Sequence, residues 1–462
     1  MSFVWMLVVA GLHAAPLPDP AQTADALDKL FDGRASSSAA VPVARPNSKR
    51  GKSGAALSNE DLKFLDDLSK RNFRFFREKT DPKTGLVLDR APFDGSDKKG
   101  EKVASIASTG FGLSGLCVAV ERGWLSKKQA AAQAKKTLEF LSNAPQEHGW
   151  FYHFMDSGTG KRAWSSEVSS IDTALLLAGV LTARQCLDDP DVKKLATKLY
   201  ERVDFPWMLN GSPNLLSMGW TPEKGFIDAR WDTYSEHMIL DLLAIGSPTH
   251  PIPPSEWDAW ARPEVLAGGR KYIAGVSPLF IHQYSQAFID FRGLCDRHGI
   301  DYFQNSVDAT MAQRAFMSAL GKNPSGKYSD YSDEMWGLTA SDSCDGSYQA
   351  WGAPPMEGPI DGSVVPSAPG GSLMFTPRES IDALKAMKKK MPKAYGRYGF
   401  SDALNPKTGC VTKDSLGIDQ GITLLSEANL RGGEVWTQFM KNPEITNAMS
   451  SVGFKPCSRS AQ

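Results

Sequence analysis

Residues 169–183 read SSIDTALLLAGVLTA: a polar opening, then an apolar run with no charged face. A helix apolar nearly all round must be enclosed by other elements, because a surface helix needs only one apolar stripe. The same form recurs at 109–123 (TGFGLSGLCVAVERG), 234–246 (YSEHMILDLLAIG), 284–295 (YSQAFIDFRGLC), 335–341 (the short MWGLTAS) and 418–430 (IDQGITLLSEANL). Between these runs lie segments with one apolar stripe and one charged face. They are SKKQAAAQAKKTLEFLS at 126–142, DPDVKKLATKLYERV at 189–203, NSVDATMAQRAFMSAL at 305–320 and RESIDALKAMKKKM at 378–391. The second opens with Asp189 as N-cap and Pro190 in the first helical position. Enclosed helices alternating with amphipathic ones predict an all-α chain folded as an (α/α)6 barrel. Minor β-hairpins are expected in its rim loops, the clearest running from Trp150 to Met155, turning at DSGTGK and returning through Arg162 to Trp164.

The rest of the chain bounds this reading. Phe3 to Leu12 is apolar, too short to span a bilayer, and followed by Ala14, Ala15 and Pro16, as in a secretory signal peptide. Residues 1–15 are therefore expected as a leader and 16–58, rich in Ala, Ser and Pro, as a disordered linker. One catalytic domain is expected over 59–457 and a short tail over 458–462. The protein is expected in the periplasm or secreted, as a monomer and without membrane insertion. Lys plus Arg equals Asp plus Glu at 52 each, so no global field favours nucleic acid. Six cysteines permit disulfides without demanding them, and Cys117 and Cys186, within apolar helical runs, are expected as buried thiols.

In a ring of inner helices that all run one way, the N-termini share one rim. Acids collect at those starts: Glu167 and Asp172 around SSEVSSID, Asp232 and Glu236 in WDTYSEH, Asp333 and Glu334 before MWGLTAS with Asp342 after it, and Asp419 in IDQG. Capping and the helix macrodipole account for part of this enrichment. Glycosidic hydrolysis needs the rest of the pattern, a protonated carboxyl for the leaving oxygen and a carboxylate to activate water. Glu236, between Tyr234 and Met238 and four residues from Asp232, is the preferred acid. A helical turn would put Asp232 and Glu236 on one face. Aromatics accompany the acids, among them Trp164, Trp231, Tyr234 and Trp336. Gly110, Gly112 and Gly115 match G-x-G-x-x-G without a preceding strand, so close helix packing explains them better than a dinucleotide. No histidine motif has metal-ligand spacing, and neither metal nor cofactor is expected.

At these motifs the chain resembles a known group. TGFGLSGL, GWFYHFMD, KRAWSSEVSSIDTALLLAG, WDTYSEHMILDLLAIGSPTHPIP, LFIHQYSQAFIDFRG, DEMWGLTASD, YGRYGFSDALN and LGIDQG look like the glucoamylase-like proteins and the bacterial β-1,2-glucanases of glycoside hydrolase family 144. The resemblance implies an (α/α)6 barrel and metal-independent, inverting hydrolysis of β-1,2-glucan, in endo mode or by release of sophorose from an end. It matches Glu236 to the acid and leaves Asp419 and Asp172 as candidates for the base, with Glu167 supporting. The candidate substrate contacts are Asp232, Tyr234, Trp164, Trp231, His282, Gln283, Trp336, Asp342 and Arg397. Transglycosylation on the same scaffold, or a non-catalytic periplasmic glucan-binding protein, are the alternatives.

Overall fold

The computed structural model describes residues 57–96, 100, 102–324, 326–352, 354 and 359–457. The expected leader, nearly all of the linker and the C-terminal tail lie outside the described residues.

Where the sequence is apolar all round, long helices form and are sealed. Helix α2 (Ile106–Glu121) follows the cap Ser105, whose hydroxyl accepts from the Ser108 N–H. Helix α4 (Ser170–Cys186) follows Ser169, which accepts in the same way from Asp172. Both are buried along almost their whole length. They approach closely because they meet through glycines. A Cβ on Gly179 would overlap the Gly110 carbonyl, and one on Gly110 would overlap that of Leu175. Preceding them, α1 (Asn59–Glu78) is held by a capping box between Ser58 and Asp61. Between them lies α3 (Lys127–Asn143), with a Ser126–Gln129 capping box and one buried stripe containing Leu138 and Leu141. After them comes α5 (Pro190–Glu201), capped by Asp189.

The third inner helix, α6 (Met238–Ile245), starts four residues later than expected. Tyr234–His237 is a turn, because the backbone beside it is captured by a neighbouring segment: Tyr234 N–H donates to Ala261 O, and Ala261 N–H to Asp232 O. Asp232 and Glu236 therefore do not share a helical face. The fourth, α7 (Tyr284–Phe288), follows a 3₁₀ turn over Leu279–His282 and ends where Ile289 turns extended. Its outer partner is α8 (Tyr302–Gly321).

MWGLTAS forms no helix. Gly337 has φ 126°, and its neighbours are bonded to α8 instead, Leu338 N–H donating to Gln313 Oε1 at 2.8 Å. The fifth inner position belongs to the short α9 (Ser367–Gly371), pressed between Gln283 and Thr423 at Gly371 and Gly370. Outer α10 (Pro377–Lys390), inner α11 (Gly417–Gly432) and the terminal α12 (Glu434–Phe439) and α13 (Pro443–Ser451) follow. Packing runs α2–α4–α6–α7, through the 3₁₀ turn to α9, then α11 and back to α2, which closes the ring. This closed ring is the expected α/α barrel.

The β-structure is confined to short ribbons. Val103–Ser105 pairs with Phe154–Asp156, Val168–Ser169 with Gly219–Thr221, and Arg90–Pro92 with Asp414–Leu416. The expected return through Arg162 is reduced to a single bridge to Met155. Cys117 and Cys186 are not thiols: they form a disulfide between α2 and α4, alongside Cys295–Cys457 and Cys344–Cys410. The close approach that the glycines allow brings the Cα atoms of Cys117 and Cys186 to 5.9 Å.

Candidate active site

The short ribbons lead into the N-termini of the inner helices, so polar residues on them converge at one rim. Glu236 ends the turn before α6 and is 2% exposed. Burial first, and then the charge of Asp172, push its carboxyl up to about 7, although the Ser235 hydroxyl donates to Oε2 and works against the rise. A neutral carboxylic acid is thereby kept near neutral pH.

Asp172, in the first turn of α4, bonds the Ser169 hydroxyl at 2.6 Å, so its capping role is real. It also belongs to a second arrangement. His153 places Nδ1 2.9 Å from Glu167 Oε1 and Nε2 3.5 Å from Asp172 Oδ1. Burial alone would strip the His153 proton, but Asp172 and then Glu167 outweigh it and set its pKa at about 9. Glu167 is held low because His153 outweighs its burial, whereas burial outweighs His153 at Asp172 and raises it. Ligand atoms of His153, Glu167 and Asp172 lie within 4.8 Å of one another, a set that could hold a metal ion. The imidazolium already supplies a positive charge between these carboxylates.

The third arrangement lies at the start of α11. Arg90 bridges Asp89 Oδ2 (2.9 Å) and both oxygens of Asp342 (3.0 and 2.9 Å), and the Asp342 N–H donates to Asp402 Oδ2 at 2.6 Å. Asp402 and Asp419 face each other, both buried. Burial, reinforced by Asp419, drives the Asp402 carboxyl far up. Asp419 rises to about 6 through burial, tempered by hydrogen bonds from Asp402 and Ser367. Asp402 thus holds a proton against an ionisable Asp419.

Tyr284 links the groups. Burial first, and then the charges of Asp419, Tyr348, Glu236 and Asp172, raise its hydroxyl, so acids from three inner helix starts lie within electrostatic reach of one phenol. A neutral acid and ionisable carboxylates about a common point can protonate a leaving oxygen and deprotonate water.

The structure sorts the residues expected from sequence. Glu236, Asp172, Asp419, Glu167 and Asp342 converge. Trp164 is at the edge, 46% exposed, and its ring leads inward through Phe154 (4.9 Å) to His153 (3.8 Å). Trp164 and Ser165 both have φ near +50°, a region that costs a non-glycine residue about 1 kcal/mol or more. Arg162 clamps the pair by donating to Ser165 O at 2.7 Å. Tyr234, Trp231, His282, Gln283 and Trp336 are sealed in the walls. Tyr234 Oη meets His282 Nδ1 at 3.1 Å, Trp231 Nε1 donates to Ser170 Oγ at 2.9 Å, and Gln283 Nε2 donates to Ala368 O and Ser372 Oγ. Asp232 is half-buried in the segment beside Ala261. Arg397 lies elsewhere, on the exterior, paired with Glu78 at 2.6 Å.

Sequence reasoning did not single out Asp89, Arg90, His153, Tyr284 or Asp402. One available signal was the repeat of Tyr234-Ser235-Glu236 as Tyr284-Ser285-Gln286 at successive inner helix starts. The two motifs are tied together, since Ser285 Oγ donates to Glu236 O at 2.5 Å.

The family model "Glycoamylase: Putative glucoamylase" matches residues 228–443. An endo-β-1,2-glucanase structure from Chitinophaga pinensis, with sophorotriose and glucose, superimposes with TM-score 0.78 at 28% identity, over 87% of this chain and 99% of that one. Over residues 228–443 the chain is similar to the glucoamylase-like family. A β-1,2-glucanase structure from Parabacteroides distasonis also matches, with TM-score 0.77 at 26% identity, over 86% of this chain and 60% of that one. An exo β-1,2-glucooligosaccharide sophorohydrolase acting at the non-reducing end, from the same organism, is 28% identical over 433 residues. That match covers 85% of this chain but only 58% of the relative's length.

Proposed function

We propose that this chain is a glycoside hydrolase that cleaves β-1,2-glucan with inversion, in endo mode. The observation that supports the reading is the buried, neutral Glu236 within electrostatic reach of ionisable Asp172, with Asp419 acting on the same Tyr284 hydroxyl. Glu236 protonates the glycosidic oxygen as the bond to the anomeric carbon breaks. Asp419, held ionisable by the Asp402 proton, takes a proton from the attacking water, directly or through a substrate hydroxyl; Asp172 is the second candidate for that role. Turnover leaves Glu236 as carboxylate and Asp419 protonated, and solvent restores both. An acid near 7 and a base near 6 give a narrow bell-shaped pH profile.

The endo mode is supported by the C. pinensis enzyme, which this chain matches nearly end to end. The exo reading, with sophorose as product, is favoured by the P. distasonis sophorohydrolase. Three disulfides support an exported protein.

Incubation with linear and cyclic β-1,2-glucan, with products resolved by size and anomer, tests the proposal. Mixed oligosaccharides, an opened cyclic substrate and an inverted anomer are expected. Sophorose alone would establish the exo mode, and tight binding without new reducing ends would leave a binding protein.

A further inference from the structure

Behind the Asp402–Asp419 pair, away from Glu236, is a cavity of about 10 Å³ between α1, α9, α10 and α11. Its polar lining includes Asn72, Asp402, Asp419 and Gln420, and its apolar lining includes Leu68 and Leu384. All six are buried. Ser367 and Asp402 bond Asp419, whereas Asn72 Nδ2 has no hydrogen-bond partner among the described residues. One shared proton can reconcile the two carboxyl oxygens with each other. It does nothing for Asn72, whose amide donor is left facing a space bounded by leucines and carboxyls.

A buried amide with no partner costs about 1–3 kcal/mol, and a site of roughly 10–15 Å³ with two to four polar neighbours takes one water. The volume and the polar atoms agree. We infer that this cavity is a built hydration site: one internal water, held by Asn72, hydrogen-bonds the Asp402–Asp419 pair and makes Asn72 a positioning residue for the base. The inference rests on reading Asp419 as that base.

The water accepts from Asn72 and directs a hydrogen towards the carboxyl pair. A donor to a carboxylate stabilises its charged form, so the site holds Asp419 ionised where burial alone would neutralise it. The titratable groups around Asp419 are Asp402 and Asp342 in the rim loops, Asp89 at the start of its ribbon and Tyr284 at the start of α7; Arg90 neutralises Asp89 and Asp342. The facing parts of α1 and α10 bring only Asn72, Leu68 and Leu384 to the cavity.

Two measurements test this. A high-resolution crystal structure of the whole protein should show a water within hydrogen-bond distance of Asn72 Nδ2 and of the carboxyl pair; a dry cavity overturns the site regardless of any activity. Asn72→Leu and Asn72→Val should each raise the acidic limb of kcat by about one pH unit, a roughly tenfold loss below the limb, with KM held. Limbs that stay in place in both variants, or in the one that folds should the other not, overturn the positioning role. If the wild type cleaves no β-1,2-glucan, the proposed function fails, while the water density still decides the hydration site.

Discussion

Replacing Ser235 by Ala and Asp172 by Asn should move the proton affinity of Glu236 in opposite directions. The Glu236 carboxyl rises from its ordinary 4.5 to about 7; at about 1.4 kcal/mol per pH unit, the site favours the neutral acid by about 3 kcal/mol relative to water. The Ser235 hydroxyl opposes that preference and Asp172 reinforces it. A hydrogen bond to a charged group is worth about 1.5–3 kcal/mol, so Ser235→Ala should raise the Glu236 pKa by about one unit. Asp172 acts through space on a buried group, where an effective dielectric near 20 gives an effect on the order of half a unit to one unit. The assay is kcat/KM against pH, following reducing ends released from linear β-1,2-glucan. Activity requires Glu236 protonated and falls as pH rises through its pKa, so the basic limb should move up in Ser235→Ala and down in the residual activity of Asp172→Asn. Glu236→Gln should lose about 10²–10⁴ of the rate while retaining oligosaccharide binding by calorimetry. A basic limb indifferent to both neighbours, or a Glu236→Gln enzyme within tenfold of wild type, would refute Glu236 as the acid.

Away from the site, burial lifts the Asp241 carboxyl to about 8 and raises its partner Glu256 as well. Its folded pKa lies above the ordinary 3.8, so its contribution is complete below about pH 4 and is lost as pH rises towards 8. Asp241→Asn should therefore shrink the gap in Tm between pH 5 and pH 8; an unchanged gap would show that the pair does not hold this proton. Gly179→Ala should destabilise by on the order of 1–3 kcal/mol in denaturant titration, through the clash with Gly110, and a neutral result would mean that α2 and α4 do not pack through these glycines. Replacing Cys117 and Cys186 by Ser opens a link between residues 69 apart and should cost roughly 2–5 kcal/mol; insensitivity to this change would exclude the bridge.

Helices α2, α4 and α11 were legible because their sequences leave no face for water, and that alone demands a surrounding shell. The fifth inner helix was hidden because SAPGG at 367–371 carries a proline and two glycines where a helix reading expects none. Its tight approach to Gln283 and Thr423 selects those small residues. The start of α6 was misplaced by tertiary contact, since periodicity cannot show that Ala261 captures the backbone around Tyr234. In the site, Glu236, Asp172 and Asp419 stood out because they flank apolar runs. His153, Asp89 and Asp402 lie on ribbons and loops with no periodic signal, and only folding shows that they meet the helix starts. The aromatic count misled for the opposite reason: Tyr234, Trp231 and Trp336 are near acids in sequence yet are spent on the walls.

The rim has one further consequence, for polymer choice. Arg90 and His153 bring two positive charges to a mouth that also holds Asp89, Glu167, Asp172, Asp342, Asp414 and Asp419. A glucan without ionic substituents meets no Coulomb barrier there. A chain decorated with phosphate or succinyl esters approaches like charge, at about 1 kcal/mol per close pair in water and more where water is excluded. Added salt should narrow that difference, so the rim acids are expected to act as a filter against anionic glucans.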